Sequence, residues 1–335
     1  LNGSQLCIYL IKTRLKSLAG IDDQTIRKNI KVAILKRAFA VRNRIPTFVG
    51  MTRPIAIILV LLAISACSPV KNDPDREDWI QLFNGKNLKG WDIKIAGSPL
   101  NVNYKNTFRV KDGVLQVSYD EYQKFNGEYA HLFYQEKFSY YKIRVQYRFT
   151  GKQTPGGAGW AYRNSGIMLH GQSAASMKPD QLFPTSIEFQ LLGGSGTGER
   201  PTGNLCTPGT NVVMHDSLYT PHSFNSSSKT YHGDQWVEAE AIVLGDSLIT
   251  HLINGDTVLA YTKPQLDPRE AGYHEMLTQF GGDLLTEGYI SLQGESNPVE
   301  FRKVELLKLR GCLDPKALNY KSYYIKSDPK QCRYK

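Results

Sequence analysis

Asn164-Ser165-Gly166-Ile167-Met168-Leu169-His170-Gly171 and Ile187-Glu188-Phe189-Gln190-Leu191-Leu192 are the stretches that decide the fold. In both, residue character alternates with period two, which predicts half-buried strands. Ile187, Phe189 and Leu191 then share one face, and Glu188 and Gln190 the other. By the same count Asn164, Gly166, Met168 and His170 lie opposite Ser165, Ile167 and Leu169. A glutamate and a histidine on the polar faces of neighbouring strands form a candidate acid/base pair. The competing reading is a strand face that is polar only because it meets water.

A third segment, Glu287-Gly288-Tyr289-Ile290-Ser291-Leu292-Gln293-Gly294-Glu295, continues the pattern. Ile290 and Leu292 point inward, Ser291 and Gln293 outward, and Glu295 follows at the rim of that polar face. Further strands are expected at 108–110, 114–117, 130–134, 141–149, 237–244, 247–253, 257–261 and 299–307. Asp112-Gly113 and Asn254-Gly255 supply two-residue hairpin turns. No long stretch has helical periodicity, and 266–269 and 286–287 read as turns or short helices. The class is therefore all-β, a sandwich or jelly roll. Residues 193–231, rich in Gly, Ser, Thr, Asn and Pro, read as a long loop insert walling the polar face. The glycine run 193–198 lacks the Lys-Ser/Thr of a phosphate loop.

Leu82 to Trp91, Asn164 to Gly171, Ser186 to Gln190 and Leu292 to Arg302 together resemble, in order, the bacterial 3-keto-disaccharide hydrolase domain family. The resemblance spans roughly 79–310 and implies a concanavalin A-like jelly roll that cleaves 3-keto-glycosides. A C3 ketone acidifies C2–H, so abstraction of that proton, loss of the C1 oxygen and hydration of the enone give net hydrolysis. Such a site needs a base, an acid and a stabiliser for the enolate. Glu188 and His170 are the base and acid candidates, in either order. Arg163 is a candidate enolate stabiliser, provided a bulge turns it into the cleft. Asn164, Gln190, Asn204, Gln293 and Glu295 are expected to hold sugar hydroxyls. Two alternatives stand beside this reading: a conventional glycosidase using Glu188 and Glu295, and a non-catalytic carbohydrate-binding lipoprotein.

Trp160 and Tyr162 are candidates for stacking on a sugar or for ordinary packing. His251 reads as structural or exposed, while His215, His222, His232 and His274 fall in loops. Around these four no His-x-His or Glu-x-x-His spacing supports a transition-metal site. No cofactor is firmly implied, and calcium held by loop oxygens is the remaining metal option.

The chain of 335 residues carries a formal charge of +10, but the excess is confined to its beginning. Residues 1–50 hold 10 Lys/Arg and 2 Asp/Glu, whereas 30 basic and 29 acidic residues follow from Cys67 onward. The balanced remainder gives no reason to expect a nucleic-acid partner. Residues 1–50 read as an upstream extension outside the mature protein. Residues 51–66 combine a basic start, a short apolar run and Ile64-Ser65-Ala66-Cys67, the pattern of a lipoprotein signal peptide. Cys67 is the expected lipidation site and the lipid membrane the expected partner, beside the oligosaccharide or glycoside substrate. Ser68 fits sorting to the outer membrane, facing the periplasm or the cell surface, with 67–78 as a tether. In an exported protein Cys312 and Cys332 are expected to close a disulfide over the tail, 311–335. The resemblance implies a second cysteine near position 223, where this chain has Ser223. Cys206 is therefore expected to be a free, buried thiol.

Overall fold

The computed structural model describes residues 73–335. The upstream extension, the signal sequence and Cys67 lie outside the described residues. Along 140–149 and 237–244 alternating sequence becomes alternating burial, whereas 164–171, expected to be half-buried, is buried at every position. In chain order the strands are β1 (Ile80–Gln81), β2 (Trp91–Ile95), β3 (Phe108–Lys111), β4 (Val114–Val117), β5 (Ala130–Tyr134), β6 (Tyr140–Phe149), β7 (Asn164–Gly171) and β8 (Ile187–Leu192). There follow β9 (Asn204–Cys206), β10 (Thr210–Met214), β11 (Ser217–Tyr219), β12 (Ser223–Phe224), β13 (Val237–Leu244), β14 (Ile249–Ile253), β15 (Asp256–Leu266), β16 (Tyr289–Gly294) and β17 (Val299–Lys308). A larger antiparallel sheet runs β11-β10-β15-β14-β13-β6-β17-β4-β3, with β1 on β17. A seven-stranded antiparallel sheet runs β12-β9-β8-β7-β16-β5-β2.

The two sheets form a sandwich of the jelly-roll type, as expected. On β6, Tyr141, Ile143, Val145, Tyr147 and Phe149 are buried, while Lys142, Arg144, Gln146 and Arg148 alternate outward. From the seven-stranded sheet Ile93, Leu132, Ile167, Leu169, Ile187, Phe189 and Leu292 enter the same core. Asp112 and Gly113 (φ 52° and 79°), like Asn254 and Gly255 (φ 50° and 89°), take the positive φ that a tight hairpin turn requires.

Two expectations are corrected. The 193–231 insert is not a simple loop: it carries β9 to β12, and β9 extends the seven-stranded sheet beside β8. A helix, α1 (Tyr273–Phe280), places His274 on a helix rather than in a loop. His251 is structural: its ring stacks on Phe189 at 3.9 Å and contacts Gly203 O and Tyr261 Oη.

Beyond β17, Cys312 and Cys332 form the expected disulfide, with the short parallel pair β18 (Arg310–Gly311) and β19 (Lys326–Ser327) beside it. This tail grips the start of the domain. Lys321 Nζ donates to Asp73 O (3.0 Å) and Arg76 O (3.1 Å) and pairs with Asp78 at 2.8 Å. Ser322 N donates to Pro74 O, and Asp78 N to Tyr323 Oη. Among the described residues no helix is long and apolar enough to cross a membrane.

Candidate active site

The site lies on the face of the seven-stranded sheet turned away from the core. Register aligns Lys94, His131, Gln293, Gly166, Gln190 and Asn204 across β2, β5, β16, β7, β8 and β9. The next row holds Phe133, Ser291, Met168, Glu188 and Cys206. Residues in one row share a face, so both rows project to the same side. Gly166 has a specific purpose in this arrangement. A Cβ there would lie 2.6 Å from Glu188 Oε1, so only glycine lets that carboxyl fold across β7.

The face is covered rather than washed by water. Tyr129, Phe183 and His131 pack together from β5 and the 172–186 segment. Ala174 and Met177 close over Phe133. Arg200 reaches in from the insert, its guanidinium held by Arg163 O, Gly193 O and Trp160 O. Glu188 and Glu295 are consequently 5% and 2% exposed, so Glu295 is not the open rim residue expected. Burial pushes the Glu188 carboxyl upward. It raises Glu295 strongly, and the neighbouring Glu188 charge raises it further, while Arg200 pulls the other way. Burial and the neighbouring charge both favour the protonated form of Glu295.

Polar atoms without a partner are concentrated here. Among the described residues, buried atoms lacking any hydrogen bond include Asn164 Oδ1, Glu188 Oε1, Ser291 Oγ, Glu295 Oε2, both side-chain amide atoms of Gln293 and both ring nitrogens of His131. Each such atom costs about 1–3 kcal/mol unless something else satisfies it. Their convergence on one face marks it as the candidate site. Gln190 and Asn204 already bond each other at 3.2 Å. Trp160 is 56% exposed and stacked on Tyr129, at the surface beside Arg200.

His170 does not join this group. A bulge on β7 between Met168 and Gly171, where three steps oppose the two from Tyr289 to Ser291 on β16, and a positive φ of 49° at His170 turn its ring through the sheet into the core. There it meets Tyr141 edge-on, and Nε2 lies 3.1 Å from Gly245 O. Strict alternation fails at that one residue, and the Glu188–His170 pair expected from it is not formed. Arg163 is also directed elsewhere, to Asp234 at 3.0 Å and Gly233 O at 2.7 Å. The strand start is irregular there, with φ 42° at Arg163, but the side chain goes to the 233–234 loop. Arg200 is the cation whose charge acts on Glu295, and sequence reading missed it because nothing local links an insert arginine to the sheet. His131 was missed as well, although its alternation with Phe133 on β5 carried the signal. Cys206 is free and buried beside Glu188. Among the described residues no group of three or more His, Cys, Asp or Glu side chains converges to hold a metal ion.

The frame is a jelly-roll sandwich with two buried carboxyls on the outer face of one sheet, and the family match makes it a carbohydrate-active β-sandwich domain. The chain belongs to the 3-keto-alpha-glucoside-1,2-lyase-like domain family, whose sequence profile matches residues 78–307. No curated protein matches the chain. Similar solved structures include a Parabacteroides distasonis protein provisionally named a glycosyl hydrolase, with 16% identity, TM-score 0.41, and coverage of 69% of this chain and 93% of that one. A carbohydrate-binding module from Bacillus subtilis gives 8% identity, TM-score 0.39, and coverage of 66% and 98%. Likenesses this distant do not bear on the assignment.

Proposed function

We propose that the domain cleaves 3-keto-glycosides by elimination and hydration, with Glu188 and Glu295 as its acid/base pair. The observation that supports this most is the burial of both Glu188 and Glu295 on one face of the sheet, with each carboxyl raised by burial and Glu295 raised further by the Glu188 charge. Glu188, folded across Gly166, is the base that takes the C2 proton. The C2–H bonding electrons form a C2–C3 double bond as the C3 carbonyl becomes an enolate, for which the unpartnered Gln293 Nε2 is a ready donor. As the ketone re-forms, the C1–O bond breaks and Glu295, the more strongly proton-holding partner, protonates the departing oxygen. Water then adds across the enone, hydroxyl to C1 and hydrogen to C2. Arg200 acts through its charge, since its guanidinium is tied to three carbonyls.

Anchoring belongs to the same reading. An acylated Cys67 would hold the domain at the outer membrane, and the leader sequence supports it.

The carboxyl pair also favours a second reading, direct hydrolysis by two carboxylates. Turnover in deuterium oxide separates them. Elimination places solvent deuterium at C2 of the product sugar, whereas direct hydrolysis breaks only C1–O and leaves C2–H intact. Mass spectrometry of the product, against a non-enzymatic exchange control, is expected to show deuterium above background. Product without it would overturn the elimination route.

A further inference from the structure

The mechanism above leaves His131 and Ser291 unused. Both are fully buried, and neither His131 nitrogen nor Ser291 Oγ has a hydrogen-bond partner. His131 is the register partner of Gln293, and Ser291 stands on β16 two residues before it. His131 lies among Phe133, at 6.1 Å between ring centroids, and Phe183, also at 6.1 Å. Burial and the nearby Lys94 ammonium push its pKa down to about 3, so the ring stays neutral, with one nitrogen donating and the other accepting. Lys94 itself is satisfied by Ile95 O, Ser98 O and Pro179 O. The patch thus offers a neutral donor–acceptor set in an aromatic surround, which matches a sugar hydroxyl rather than a carboxylate or phosphate.

We propose that His131 and Ser291 form a second subsite, which hydrogen-bonds hydroxyls on the sugar ring of the leaving group. The inference rests on the reading of Glu188 and Glu295 given above. With the oxidised ring over Gly166, the adjoining ring of a disaccharide lies over the neighbouring strand β16, where Ser291 stands, and its outer hydroxyls extend toward His131 on β5. On the opposite side Asn204 donates to Gln190 and accepts from Ser226 N, whereas the side-chain polar atoms of His131 and Ser291 have no partner at all.

The test compares the 3-keto derivatives of a glucose disaccharide and of p-nitrophenyl glucoside, whose leaving group has no ring hydroxyls. His131→Phe is expected to lower kcat/KM for the disaccharide about tenfold or more, because a site built to bond a hydroxyl loses that discrimination. For the nitrophenyl substrate the fall should stay within about threefold. The milder His131→Asn, which retains hydrogen-bonding capacity, should give an intermediate loss and covers the case of a poorly folding Phe variant. Equal losses on both substrates, or none on either, would overturn the proposal. An independent arm needs no turnover: maltose is titrated into Glu188→Gln protein while the labelled His131 imidazole resonances are followed. Saturable shifts support the subsite even if neither keto substrate is cleaved, an outcome that would sink only the chemistry of the carboxyl pair. Unmoved His131 resonances at saturating sugar would overturn it.

Discussion

Glu188 and Glu295 have been taken out of water without an ion pair among the described residues, and Glu188 owes its upward shift to burial alone. Glu188→Gln keeps the volume and removes the base, so turnover of a 3-keto-glycoside should fall about 10²-fold or more. His170→Ala should behave oppositely, because that ring fills core space beside Tyr141. Expected are a loss of about 1–3 kcal/mol in stability and activity per folded molecule within a few-fold of wild type, read from denaturant melts and active-site-normalised kinetics. A 10²-fold loss in well-folded His170→Ala protein would return that residue to the site. Titration gives a second check. A carboxyl whose folded pKa exceeds its unfolded value contributes stability below the ordinary carboxylate range and loses it as pH rises through the folded pKa. Glu295 is such a group, so Glu295→Gln should gain stability relative to wild type as pH rises from about 5 to 9. Melting temperatures across that range decide it, and a gap that narrows with pH would refute the assignment. Glu188, Asn164, Gln190 and Gln293 were legible from period-two alternation, because register carries the period across the sheet. His170 was not, because one left-handed residue inverts a face and alternation carries no mark of it.

At the scale of elements, β9 and β12 set Cys206 directly opposite Ser223. Directly opposed residues in antiparallel strands have Cα atoms about 4.5–5.5 Å apart, within the span a disulfide accepts. Ser223→Cys expressed under oxidising conditions should therefore cross-link to Cys206 and add about 2–3 kcal/mol in the chain-entropy account. Two thiols persisting in the oxidised, unfolded protein would show that the strands do not meet as described. These strands escaped sequence reading because Asn204–Cys206 and Ser223–Phe224 are too short for alternation to register within a Gly/Ser-rich stretch. The helix did leave a signal. Tyr273, Met276, Leu277 and Phe280 fall at i, i+3, i+4 and i+7, with Gly281 in the left-handed conformation closing it. Eight residues between turn-rich flanks simply offer a short window for that pattern.

For the molecule as a whole, the proposed acyl anchor is open to a direct test. Cys67→Ala in the full chain should move the protein from the membrane fraction to the soluble one, with turnover retained. If that variant still sediments with membranes after a high-salt wash, acylation is not its anchor. Lys321, bonded to the carbonyls of Asp73 and Arg76 and paired with Asp78, acquires a mechanical meaning in a tethered enzyme. Tension arriving through residue 73 would reach this clasp and the covalently closed 312–332 loop before it reached β1 and the sandwich. The clasp would act as a strain relief, as the collar does where a cable meets its housing. The carboxyl pair, on the other sheet from the one that receives β1, would keep its alignment while the anchor is pulled.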